Sequence, residues 1–98
     1  MKATKHIIRW MEEMVNKYPL IYYKYEYSNK DGAHLICEYP THITYECEAY
    51  CEEQMVWLGK MDKLFPEETI LFSDEEDLFS CSAKALEIHH HSLLVEED

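Results

Sequence analysis

The sequence predicts an α+β domain, a two-layer sandwich in the order α-β-β-α-β-β whose four-stranded, mainly antiparallel sheet carries both helices on one face. Three observations lead there. Two segments repeat apolar residues at three- and four-residue spacing, four shorter ones alternate or run continuously apolar, and the two glycines and three prolines mostly fall between segments. With 98 residues, 47% of them apolar and 13% aromatic, the chain can bury one core and is read as a single domain over 1–98, with a tail from about residue 90.

The first helix is read from Thr4 to Tyr18, where Ile7, Ile8, Met11, Met14, Val15 and Tyr18 share a face, Trp10 lies at its edge and Pro19 ends it. Leu20 to Tyr27 follows as a half-buried strand, with Ile21, Tyr23, Tyr25 and Tyr27 on one side and Tyr22, Lys24 and Glu26 on the other. The turn formers Ser28 to Gly32 then lead into Ala33 to Tyr39, whose inward residues are expected to be Leu35, Cys37 and Tyr39. Together these strands form an antiparallel hairpin that Pro40 closes.

A second helix is expected from Thr44 to Phe65, with an apolar stripe of Cys47, Tyr50, Cys51, Met55, Leu58, Met61 and Phe65, widened by Val56, Trp57 and Leu64. Its glutamates crowd the first half and Lys60 and Lys63 the end, the order that the helix dipole favours. Gly59 costs this helix about 1 kcal/mol relative to alanine, which marks a close contact or a break. Thr69 to Ser73 reads as a short buried strand, Asp74 to Asp77 as an acidic turn, and Leu78 to Ile88 as a further strand broken near Ser82.

Charge narrows the functional classes. Nine lysines and arginines against 20 acidic residues give a net charge of −11, and Arg9 is the sole arginine, so direct nucleic-acid binding through a basic surface is excluded. No apolar run approaches the roughly 20 residues of a membrane helix, and Met1 to Trp10 lacks the apolar block of a secretory signal. The expectation is a cytoplasmic protein with its four cysteines as free thiols and no cofactor.

Cys37, His42, Cys47 and Cys51 offer three sulfurs and one imidazole, and Cys47 and Cys51 stand one helical turn apart, so a metal-binding or metal-sensing domain is one alternative. Against it, the helical pair lies on the apolar stripe, where a cysteine is a small hydrophobe. His89, His90 and His91 are adjacent and point in different directions. No glycine-rich phosphate loop, nucleophile elbow or H-E-x-x-H pattern occurs, and Cys81 is the least obviously packed thiol, so catalysis is not expected.

The acidic clusters and the tyrosines carry more. Glu46, Glu48, Glu52 and Glu53 form an acidic helix surface suited to steering a basic protein partner, and a regular array of such charges would instead mimic DNA and inhibit a nucleic-acid-binding protein. If Tyr23, Tyr25 and Tyr27 face the helices, the open sheet face consists of Tyr22, Lys24, Glu26, His34, Ile36 and Glu38, a candidate docking or homodimer surface. At Phe65-Pro66-Glu67-Glu68-Thr69-Ile70-Leu71-Phe72-Ser73, preceded by the acidic helix and followed by Asp74 to Leu78, the chain resembles small acidic uncharacterised bacterial proteins. That resemblance covers about a quarter of the chain, implies a bacterial accessory protein and transfers no site residue. The reading on sequence is therefore a non-catalytic interaction module: an adaptor, inhibitor or immunity-type protein.

Overall fold

The computed structural model of the chain describes residues 2–73 and 85–90. Along these the elements are α1 (Thr4–Lys17), β1 (Tyr22–Ser28), β2 (Ala33–Tyr39), α2 (Thr41–Glu46), α3 (Glu48–Leu64), β3 (Thr69–Ser73) and β4 (Leu86–Ile88). The acidic turn at 74–77, the break near Ser82, Cys81 and the tail from His91 lie outside the described residues.

The α+β class holds, and the four-stranded sheet is mixed, with two antiparallel pairings and one parallel pairing that departs from expectation. Its order is β3-β2-β1-β4, with β1 antiparallel to both neighbours and β3 parallel to β2. The parallel pair follows from the connection: Pro40 to Glu68 is a helical crossover, which returns the chain to the starting edge and lets β3 run alongside β2 in the same direction.

The single helix expected from Thr44 is two. Helix α2 begins directly after the cis Tyr39–Pro40 peptide, and Cys47, extended at φ −85° and ψ 101°, separates it from α3. Gly59 does not break α3, which runs unbroken from Glu48 to Leu64.

At the hairpin tip, Ser28 pairs with Ala33 and encloses a loop of residues 29–32. Ser28 Oγ donates to Asp31 (2.8 Å) and accepts from its backbone N–H (3.1 Å), while Gly32 takes the left-handed conformation at φ 62° that favours glycine. This register sets Tyr23 opposite Glu38, Tyr25 opposite Ile36 and Tyr27 opposite His34. Directly opposed residues share a face, so His34, Ile36 and Glu38 lie with the inward tyrosines, and the assignment of those three to an open face is corrected. All three are buried.

One core unites Ile7, Trp10, Met11, Met14 and Val15 of α1 with Tyr23, Tyr25, Ile36 and Ile88 of the sheet and Tyr50 and Met61 of α3. Strand β2 is buried from Ala33 to Glu38, on both of its faces, as befits an inner strand. Of the stripe expected of it, helix α1 buries Ile7, Met11, Met14 and Val15 and leaves Ile8 half-buried, Tyr18 falls just past its end, and Trp10 joins the buried set by stacking on Trp57 at 4.2 Å between ring centroids.

Candidate interaction surface

Helix α3 departs most from expectation. Of its apolar residues only Tyr50 and Met61 are fully buried, while Met55, Val56 and Leu64 are 70%, 61% and 60% exposed. The expected stripe was too wide. At 100° per residue Tyr50, Trp57 and Met61 fall within about 40° of one another, whereas Met55 and Val56 project to the other side of the helix.

Between α1 and α3 runs an open groove of about 490 Å³, lined by Trp10, Glu13, Met14 and Lys17 from one helix and by residues between Ala49 and Lys60 from the other. The stacked tryptophans form its middle. The helices run antiparallel here, since His6 meets Phe65 edge-on at 5.1 Å, Trp10 meets Trp57, and Lys17 meets Glu53. One end of the groove therefore carries Glu13, Glu52 and the Lys17–Glu53 ion pair, and the other carries Lys60. Exposed Glu46 and Glu48 extend the acidic end.

Tyr18 closes that end. Its O–H donates to Glu53 Oε2 at 2.5 Å, and this bond, helped by burial and by the Glu53 charge, pushes the phenol up to about 12. Glu53 is held below its ordinary 4.5, first by Lys17 and then by Tyr18. Of the four glutamates singled out on this surface, Glu53 is thus committed within the fold, while Glu46, Glu48 and Glu52 are exposed.

Two buried polar chains account for the inward residues of β2. Tyr50 O–H donates to Glu38 Oε1 (2.5 Å), and the Tyr23 and Tyr50 hydroxyls lie 2.9 Å apart. Burial drives both phenols strongly upward. In the second chain, His34 Nδ1 lies 2.6 Å from the Tyr25 hydroxyl, His34 Nε2 lies 2.7 Å from Glu68 Oε1, and Tyr25 reaches Thr4 Oγ1 at 3.2 Å. With a neutral imidazole, Nε2–H donates to the carboxylate and Nδ1 accepts from Tyr25, so every member is satisfied. Both chains hold elements together.

On the opposite face of the sheet, Tyr22 stacks between Tyr39 (5.1 Å) and His89 (5.0 Å), and the Lys24 ammonium sits 5.9 Å over the Tyr39 ring. Tyr22, Lys24 and Glu26 are on this face as expected and are half-buried. Cys37 is buried there, its Sγ 3.1 Å from Ser73 Oγ, whereas the Cys51 thiol on α3 donates to the Thr44 carbonyl at 3.1 Å and His42 is exposed. The sheet separates Cys37 from Cys47 and Cys51. Among the described residues no group of three or more His, Cys, Asp or Glu is placed to hold a metal ion.

Of the groove residues on α1, Met14 is read from sequence only as core, and Glu13 and Lys17 are not read as functional. Their signal is the three- and four-residue spacing that sets Glu13 and Lys17 beside the buried Trp10 and Met14. No protein-family model matches the chain, and no curated protein or solved structure shows significant similarity to it. Among the described residues no helix is long and apolar enough to cross a membrane.

Proposed function

We propose that this domain is a non-catalytic protein-interaction module, an adaptor, inhibitor or immunity-type accessory protein, that docks a basic partner along α1 and α3, both taken as covering the same sheet face. The observation that carries this reading is the uncovered side of α3, where Val56 and Met55 stand more than half exposed beside Glu48 and Glu52. Exposed apolar residues rimmed by charge are the usual anatomy of a docking patch. The acidic end of the groove supplies the sign of the partner, because a net charge of −11 favours encounter with cationic surfaces and repels anionic ones.

The test is site-specific photo-crosslinking in the source cell, with the reactive residue at Ala49 in the groove or at Asn29 in the hairpin loop. One recurrent adduct at position 49, absent at position 29 and lost with Glu46→Lys and Glu48→Lys together, is expected. The same adducts at both positions, or an adduct indifferent to charge reversal, would overturn the reading.

A further inference from the structure

Among the described residues nothing packs against Gly59 in a way that requires a glycine. It lies in the middle of an unbroken 17-residue helix, it is exposed, and a Cβ built on it would meet nothing within 4 Å. A helix interior tolerates such a glycine only at a cost relative to alanine, and no contact among the described residues offsets that cost.

Its neighbours on the helix surface are informative. Glu52, Val56, Gly59 and Lys63 follow one another at spacings of four, three and four, so they form one stripe about 60° wide on the side of α3 away from Tyr50 and Met61. That spacing is the one with which two helices interdigitate at a shallow angle. All four are exposed, and among the described residues neither Glu52 nor Lys63 has an ion-pair partner.

We propose that α3 pairs with the α3 of a second copy of this chain, antiparallel, about a two-fold axis midway between Val56 and Gly59. The stripe is its own complement under that operation. Each Val56 sits over the partner's Gly59, a knob facing a position with no side chain, and each Glu52 faces the partner's Lys63, which gives two equivalent ion pairs. Antiparallel helices also set each acidic amino-terminal half beside a partner's basic carboxyl-terminal half.

A helix of 17 residues is about 25 Å long, and a pair of that length buries on the order of 1,000 Å², the lower bound for a specific interface. The dimer is accordingly weak and exchanging, with a micromolar Kd. Glu52 and Val56 belong both to this stripe and to the groove, so the second copy and the basic partner proposed above compete for one side of α3. Self-association of the purified chain tests the dimer alone, and crosslinking at Ala49 with reversal of Glu46 and Glu48 tests the partner.

The experiment is sedimentation velocity of the purified full chain across the micromolar range. The wild type is expected to show a concentration-dependent dimer. Gly59→Leu fills the site that Val56 needs, and Glu52→Lys sets like charges opposite each other, so each should weaken association about tenfold or more. The double variant Glu52→Lys with Lys63→Glu should recover it, because the two residues stand too far apart on one helix to pair within a chain. A wild type that is monomeric throughout, a dimer indifferent to Gly59→Leu, or a double variant no better than the single ones would each overturn the pairing.

Discussion

His34 Nε2 lies 2.7 Å from Glu68 Oε1, which ties the centre of the sheet to the residue that precedes β3. The ring is fully buried, and its other nitrogen is engaged by Tyr25, which reaches on to Thr4 at the start of α1. One imidazole thereby joins the first helix, the hairpin and the crossover. His34→Ala opens a cavity at a fully buried site and removes one bond each from the Tyr25 hydroxyl, which keeps Thr4, and from the Glu68 carboxylate, which keeps the Ala3 N–H. We expect a loss of about 2–4 kcal/mol, from the cavity together with the two lost bonds, read from the midpoint of urea unfolding. A change below about 0.5 kcal/mol would show that the chain of bonds does not hold these elements together.

Acid should weaken the fold through two carboxylates. Burial raises the Glu68 carboxyl, but the bonds it accepts from His34 and from the Ala3 N–H outweigh it, so the group ends below its ordinary 4.5. Glu53 is lowered by Lys17 and Tyr18. A carboxyl lowered in the folded state contributes stability that is present above its unfolded value and lost as pH falls through its folded value. Unfolding midpoints should therefore drop below about pH 4.5, and Glu68→Gln with Glu53→Gln should flatten that dependence. An unchanged acid limb in the double variant would assign the loss to other groups.

Trp10 and Trp57 stack at 4.2 Å with planes only 9° apart, where α1 meets α3. Rings this close couple their electronic transitions, so near-ultraviolet circular dichroism should show a paired band that disappears in either Trp10→Phe or Trp57→Phe. Trp10 is 7% exposed and is the better buried of the two, so Trp10→Ala should cost about 3–5 kcal/mol and Trp57→Ala less. If the two single variants each removed half the band, the rings would be independent chromophores and the stack would not persist in solution.

Much of this was legible in the sequence, and the misses share a cause. Local pattern located α1, both strands of the hairpin and β3 to within one or two residues at most ends, because period and punctuation agree there. The face of β2 was not legible. A turn of five residues from Ser28 to Gly32 would set Leu35 opposite Tyr25, but Ser28 belongs to β1, the loop is one residue shorter, and that single step turns every side chain of β2 over. His34 and Glu38 are polar, so composition pointed them outward; their partners Tyr50 and Glu68 are distant in sequence, and only the fold brings them close. The excess width of the α3 stripe has the opposite origin. Met55, Val56 and Leu64 are apolar without being inside, which pattern cannot separate from core and which is the feature of the proposed surface.

Alkaline conditions should act through Tyr18, Tyr23 and Tyr50. The Tyr18 phenol is pushed up to about 12 by its bond to Glu53, and burial raises Tyr23 and Tyr50 further still. An acid group raised in the folded state contributes stability that is complete below its unfolded value, here 10, and is lost as pH climbs through the folded value. Above pH 10 the unfolded chain ionises these phenols while the folded chain keeps them neutral, so stability should fall steadily from there, with the Tyr18 share gone by about 12. Ultraviolet titration should then show tyrosines that ionise only as the protein unfolds. Tyr50→Phe sharpens the test, since it removes one such phenol and leaves the Glu38 carboxylate without the donor at 2.5 Å. Its expected cost is about 1–3 kcal/mol near neutral pH, narrowing above pH 10 because one fewer proton is held by the folded state. A variant whose deficit stayed constant from pH 7 to 11 would show that Tyr50 ionises as freely in the fold as outside it, which its burial beside Tyr23 and Glu38 does not permit.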